Sequence, residues 1–208
     1  MVFAITAIRY NQENLSTKLA SISYYPTLFT EAFGDDTVSA NRVSIALAQF
    51  LAAMVSDNAK YDEGVKQDFE NFSYLENIGR EVFNNNGKCN KCHYQPLFTN
   101  FWHTTNIGLD QIYTDKGAGN GRFKIPSLRN VELTAPYMHD GRFENLEAVI
   151  DHYNEGIQIH PALDWNLRNG DNPVKLGLTA EEKRGLVAFL KTLTDYEFIE
   201  DERFSNPF

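Results

Sequence analysis

Cys89-Asn90-Lys91-Cys92-His93 is the stretch on which the reading of this chain turns. It has the form C-x-x-C-H, the sequence at which c-type haem is attached. Thiols three residues apart on a helical turn face the same way, and each can bond one vinyl carbon of a haem. The next residue then places an imidazole under the iron as proximal ligand. A bare C-x-x-C has rivals: a thioredoxin-like redox pair, half of a zinc site, or a surface disulfide. Zinc would need a second Cys/His pair at the usual distance, and the chain has just these 2 cysteines. The thioredoxin reading lacks the preceding strand of a βαβ unit and leaves His93 without a role.

The segments around the motif have a recognisable order. A helix is expected over about 72–84, with Leu75, Ile78, Gly79, Val82 and Phe83 on one face, stopping at Asn84-Asn85-Asn86-Gly87 just before the motif. Residues 94–144 are rich in Gly, Asn, Thr and Pro and read as long irregular loops. Gly117-Ala118-Gly119-Asn120-Gly121 is not a dinucleotide loop, because no strand-then-helix pattern surrounds it. Another helix is expected over 146–154, with Leu146, Val149, Ile150 and Tyr153 on its buried face, followed by an irregular segment over 156–178. The last helix opens with a capping box, Thr179-Ala180-Glu181-Glu182, and carries Leu186, Val187, Phe189, Leu190 and Leu193 at helical spacing. Helix, C-x-x-C-H, long loops and a terminal amphipathic helix is the layout of a cytochrome c domain, in which the helix before the motif crosses the final one. Gly79 would let the two backbones approach closely, or is a tolerated small residue.

Upstream, residues 38–56 have helical period, with Val43, Leu47, Phe50, Leu51 and Met54 as the expected core face. Residues 57–68 read as a polar loop containing Gly64, and 1–36 show no clear period, with turn signals at Tyr25-Pro26 and Gly34-Asp35-Asp36. The acidic residues of the tail (Asp195, Glu197, Glu200, Asp201, Glu202) are expected in solvent. The expected fold is therefore mostly α: a cytochrome c-like domain with long irregular loops over 38–208, and an N-terminal helical extension over 1–37.

Composition narrows the function classes. With 208 residues the chain can bury a real core, and 42% hydrophobic with 23% charged residues is ordinary globular usage. Fifteen Phe and ten Tyr suit a chain that wraps a large flat apolar cofactor, or one with an aromatic core. A net charge of −9 argues against a nucleic-acid partner, since nothing would neutralise phosphates, and is compatible with steering a basic redox partner. No apolar run approaches membrane-spanning length. Residues 1–14 show neither a basic start nor a long apolar stretch before a cleavage site, so no signal peptide is visible. Covalent haem attachment is an exported-protein process in bacteria, so the expected location is periplasmic, or otherwise exported, with the signal peptide not present in this chain.

Beyond the motif, the stretch from Phe123 to Gly141 (FKIPSLRNVELTAPYMHDG) resembles the bacterial di-haem cytochrome c peroxidase family, which includes MauG. Pro96-Leu97-Phe98-Thr99, Asn106-Ile107-Gly108, Leu146 to Asn154 and Leu178 to Thr194 extend the resemblance over about 40–194, and Tyr25 to Gly34 adds to it. Members of the family have two cytochrome domains, each with its own C-x-x-C-H; this chain resembles the second, C-terminal one, with the first absent. The resemblance implies a c-type haem domain that relays electrons to a peroxide-reducing haem in the absent N-terminal domain. Its partners would be that domain and a small redox protein as electron donor, and peroxide turnover by this chain alone would be low. The alternatives are a free-standing mono-haem electron carrier and a domain that carries no haem.

Site residues follow from the same resemblance. His/Met ligation is common in cytochromes c, which draws attention to Met138, but the family's distal ligand position matches Tyr153, where the MauG branch has an axial Tyr. A core tyrosine donating a hydrogen bond is the other reading of Tyr153. His152 and His139 are lesser ligand candidates. The Pro96 carbonyl is expected to accept from the second ring nitrogen of His93, and Arg129 to meet a haem propionate. The family's interdomain calcium would take the carbonyls of Thr134 and Pro136, with its other ligands from the absent domain and water.

Overall fold

The computed structural model describes residues 12–206, and its contacts divide the chain between Val55 and Ser56 into two compact units. Among the described residues the first unit holds three helices, α1 (Gln12–Ala20), α2 (Tyr24–Phe33) and α3 (Ala40–Ala53). The sequence reading put a turn at Tyr25-Pro26, but Pro26 lies in the first turn of α2, where a missing N–H breaks no helical bond. Gly34 ends α2 in the left-handed conformation, φ +88°, and returns its N–H to the Thr30 carbonyl. Ser39 caps α3 by accepting from the Arg42 N–H, and Arg42 makes a bidentate ion pair with Asp35.

The expected core face of α3 is only partly a core. Val43 is buried, whereas Leu47, Phe50, Leu51 and Met54 are all exposed. Helical period reports which residues share a face; it does not supply the surface that covers them. The unit boundary also departs from the expected one, because α3 falls in the first unit rather than with the haem motif.

The second unit is built on two crossing helices, α5 (Tyr74–Asn84) and α7 (Ala180–Lys191), with the short α4 (Lys60–Lys66), α6 (Leu146–Asp151) and α8 (Tyr196–Ile199) around them. Both long helices start with reciprocal capping: Ser73 with Glu76 on α5, Thr179 with Glu182 on α7. They cross glycine on glycine. A Cβ at Gly79 would fall on the carbonyl of Gly185, and one at Gly185 would lie 2.9 Å from the Gly79 nitrogen. The close-approach reading of Gly79 is therefore the correct one, and Gly185 is its partner, which spacing alone did not single out.

Behind the crossing sits an aromatic core. Phe98 and Phe189 are fully buried, and Phe98 packs edge-on to Tyr61 (4.9 Å between centroids) and Phe83 (5.6 Å). Tyr61 comes from α4, in the stretch read as a polar loop. That stretch is helical because the Asp62 carboxylate accepts from the Ala59 N–H at its start and Tyr61 anchors it in the core. Asp195, expected in solvent, is 1% exposed: its carboxylate accepts from the N–H groups of Asn58 and Phe198, which repays its burial. The 94–144 stretch is not wholly irregular. It contains an antiparallel ribbon of β1 (Asn100–Thr105) and β2 (Phe123–Ile125), with a register shift between Asn100 and Thr104. A second ribbon, β3 (Arg168–Asn169) with β4 (Asn172–Pro173), is minimal. The fold is mostly α, as expected, and the two small sheets are additions that the reading of irregular loops did not include. Among the described residues no helix is long and apolar enough to cross a membrane.

Candidate haem site

A largely apolar cavity of about 530 Å³ opens in the second unit, within the range of cofactor and small-molecule sites. Cys89, Cys92 and His93 line it, together with Thr105 of β1, Phe123 and Ile125 of β2, and Leu186 and Leu190 of α7. Much of its remaining wall runs from Thr134 to Tyr153 and includes Pro136, Met138, His139, Val149 and Ile150. The α5–α7 crossing therefore sets one side of the cavity and the loops between the motif and α7 set the rest.

The motif lies on a 3₁₀ turn, Cys89–Lys91, and the cysteines are not joined to each other. Burial pushes the Cys89 thiol up to about 12; burial, with the Asp164 carboxylate adding to it, pushes Cys92 up to about 11. Both are un-ionised at neutral pH. A redox-active C-x-x-C depends on the opposite, a thiol with a depressed pKa. Neutral thiols at the edge of an apolar cavity, with an imidazole one residue on, fit covalent attachment of a haem. Among the described residues no group of three or more His, Cys, Asp or Glu could hold a metal ion by itself.

His93 is fixed by its Nδ1, which is 2.9 Å from the Phe98 carbonyl oxygen. Nδ1–H donates there, and the tautomer leaves the Nε2 lone pair free to ligate. Burial lowers the imidazole pKa, against the opposing pull of the Phe98 and Pro126 carbonyls, so the ring is held neutral, as a ligand must be. This corrects the expectation for Pro96. Its carbonyl accepts instead from Arg129, at 3.1 Å from Nε and 2.9 Å from a terminal nitrogen. The acceptor for His93 stands two residues later because Phe98, at φ +50°, turns its carbonyl toward the ring.

Arg129 also departs from expectation. It does not line the cavity; its side chain is 8% exposed and its guanidinium makes a bidentate ion pair with Asp62, at 2.5 and 2.7 Å. Four N–H···O contacts tie this guanidinium to the Asp62 carboxylate and the Pro96 carbonyl, so it is directed at them and not at the cavity. Asp62 was missed at the sequence level because it sits in a polar stretch with no period of its own.

On the other wall, α6 passes into a π-helical turn, His152–Gly156, in place of a simple helix end. Tyr153 lies in this turn and lines the cavity, and its hydroxyl makes no hydrogen bond among the described residues. Burial raises its pKa, and the negative charge of nearby Cys92 and Cys89, when ionised, raises it further. Met138 lines the same cavity from a backbone at φ +73°. His139 is stacked on Phe123, 3.7 Å between centroids. His152 is buried with Nε2 3.0 Å from the Ile107 carbonyl, so that nitrogen is committed away from the cavity. Thr134 and Pro136 both border the cavity. Of the many aromatic rings, Phe83, Phe123, Tyr137 and Tyr153 face the cavity, while Tyr61, Phe72, Phe98 and Phe189 form the core behind it.

The sequence profile described as di-haem cytochrome c peroxidase matches residues 4–70, upstream of the haem motif. The methylamine utilization protein MauG of Methylophilus methylotrophus is 35% identical over 197 residues, covering 89% of this chain and 56% of the relative. Cytochrome c551 peroxidase of Nitrosomonas europaea is 30% identical, covering 85% of this chain and 51% of the relative. The crystal structure of the diheme peroxidase BthA from Burkholderia thailandensis shares the fold with a TM-score of 0.61 at 21% identity, over 83% of this chain and 56% of that one. The chain spans about half the length of the curated relatives it matches. The C-x-x-C-H motif, the cavity it borders and these matches together place the chain in the di-haem cytochrome c peroxidase and MauG family.

Proposed function

We propose that this chain is a c-type haem domain that exchanges electrons within a larger two-haem oxidoreductase, passing them toward a peroxide-reducing haem carried by another domain. The observation that carries the reading is geometric: Cys89 and Cys92, not joined to each other, line an apolar cavity, and beside them the Phe98 carbonyl fixes His93 through Nδ1 at 2.9 Å. A bound haem would supply a one-electron iron centre. This chain's residues would anchor it through Cys89 and Cys92, ligate it through His93 and exclude water with Ile125, Ile150, Leu186 and Leu190.

Tyr153 is the proposed second axial ligand. Its position on the cavity wall and its unpaired hydroxyl support this over a structural hydrogen bond. Ligation would require the phenol to release its proton to solvent, and an anionic oxygen would favour oxidised iron. Met138 is the competitor, since it borders the same cavity. Calcium would be held by the carbonyls of Thr134 and Pro136 with ligands from outside this chain, so it should bind weakly here, which titration calorimetry with calcium would read. An exported location follows from the attachment chemistry. The electron donor would be a small redox protein, steered by the net charge of −9 if its own surface is basic.

The test is to produce the chain alongside the cytochrome c maturation machinery, then take an intact mass and a pyridine haemochrome spectrum. One haem per chain, bound through two thioethers, is the expected result; apo mass with free thiols overturns the proposal. Hydrogen peroxide turnover by the haem-loaded chain should be poor while reduction by small mediators remains fast. Turnover equal to that of a full-length two-haem relative would refute the relay role. A second C-x-x-C-H upstream in the full-length gene separates this role from that of a mono-haem carrier.

A further inference from the structure

The segment from His93 to Thr99 is held by three consecutive residues from another part of the chain. The Ser127 hydroxyl donates to the Leu97 carbonyl at 2.6 Å, the Leu128 N–H to the Phe98 carbonyl at 3.2 Å, and the Arg129 guanidinium to the Pro96 carbonyl. Tyr94 and Thr99 close the loop by pairing backbone to backbone in both directions. Arg129 is itself oriented by Asp62 of α4, and its guanidinium carbon lies 5.8 Å from the centre of the Phe98 ring. The Phe98 carbonyl at the end of this loop is the acceptor for His93 Nδ1–H.

A buried ion pair adds little net stability compared with apolar groups of the same shape. Asp62 and Arg129 are both largely buried, and the planar fork of Arg129 also grips a backbone carbonyl. That arrangement fixes geometry more than it contributes energy. We propose that the Asp62–Arg129 pair is a positioning device for the His93 imidazole, clamping the Pro96–Phe98 turn so that the Phe98 carbonyl stays on Nδ1–H. The inference rests on the haem reading above. A strong hydrogen bond at Nδ1 makes the imidazole a better donor to iron, which favours the ferric state and lowers the reduction potential. Asp62 and Arg129 act through the loop and touch neither the cavity nor the iron.

The experiment uses the full haem-loaded chain and compares Arg129→Gln, Arg129→Lys and Asp62→Asn with the parent protein. The midpoint potential should rise in Arg129→Gln, and the iron–imidazole stretching frequency of the reduced protein should fall. Arg129→Lys keeps the charge beside Asp62 but cannot hold the carboxylate and the Pro96 carbonyl in one plane; it should recover thermal stability while the potential stays raised. Asp62→Asn should shift the potential in the same direction by less, and the double variant should shift it no further than Arg129→Gln alone. If Arg129→Gln does not fold, Asp62→Asn carries the same readout. Lowered thermal stability with unchanged potential and stretching frequency would make the pair a plain structural brace and overturn the proposal. A parent protein without haem would refute the functional reading, and this inference with it.

Discussion

The two sides of the cavity are held by different means. On the His93 side, the carbonyls of Pro96, Leu97 and Phe98 each accept a hydrogen bond from residues 127–129, and the aromatic core of Tyr61, Phe83, Phe98 and Phe189 packs behind them. On the side running from Thr134 to Tyr153, the cavity is bordered by side chains from a loop, from α6 and from the π-helical turn that follows it, and the Tyr153 hydroxyl has no hydrogen-bond partner among the described residues. One side is determined by backbone bonds and packing before any cofactor binds. The other offers Met138, His139 and Tyr153 to the cavity and leaves the choice among them to the chemistry of what is bound. In the proposed reading, the lesson is that a ligand meant to stay can be preorganised by its surroundings, whereas one meant to exchange would be left free of competing bonds.

The largest expected effect attacks the braced side from behind. Gly79→Ala puts a methyl group onto the backbone of Gly185, and since backbone cannot yield as a side chain can, the loss should be about 3 kcal/mol or more. Denaturant unfolding would measure it, and a loss under about 1 kcal/mol would mean that the helix crossing tolerates separation and does not set the cavity.

On the open side, Tyr153→Phe should change the ferric absorption spectrum and raise the midpoint potential while costing at most about 1 kcal/mol, because the ring is retained and no hydrogen bond is lost. Met138→Leu is nearly volume-conserving, so ligation should be unchanged and the cost below about 1.5 kcal/mol. Loss of a sulfur-to-iron charge-transfer band in that variant, with no change in Tyr153→Phe, would exchange the two assignments.

The smallest effect concerns pH. Burial lowers the His152 pKa below its unfolded value, with the Ile107 carbonyl pulling the other way. Below about pH 6.5 the unfolded chain takes up this proton more readily than the folded one. Stability is therefore complete above that pH and declines as pH falls toward the folded pKa, by at most about 1.4 kcal/mol per pH unit. His152→Gln should flatten the slope between pH 7 and 5 in thermal melts; an unchanged slope would assign it to other groups and show this part of the wall to be less tightly packed than it looks.

Cys89, Cys92 and His93 could be singled out in the sequence because the chemistry proposed for them is local: haem attachment needs a fixed spacing along the chain, and spacing is what a sequence records. The α5 and α7 helices were legible for the same reason, from period and capping boxes. Tyr153 could be placed on the right face of its helix by period, although the π-helical turn that carries it could not. What only the tertiary structure decided are relations across long sequence separations. Gly185 matters because Gly79 lies against it, Asp62 because it meets Arg129, and Phe98 rather than Pro96 because its backbone turns a carbonyl onto His93. The apolar face of α3 shows the converse, since its period is plain in the sequence while its exposure depends on what packs there. Residue type and period are properties of neighbours along the chain, whereas a hydrogen-bond acceptor or a packing partner is a property of neighbours in space.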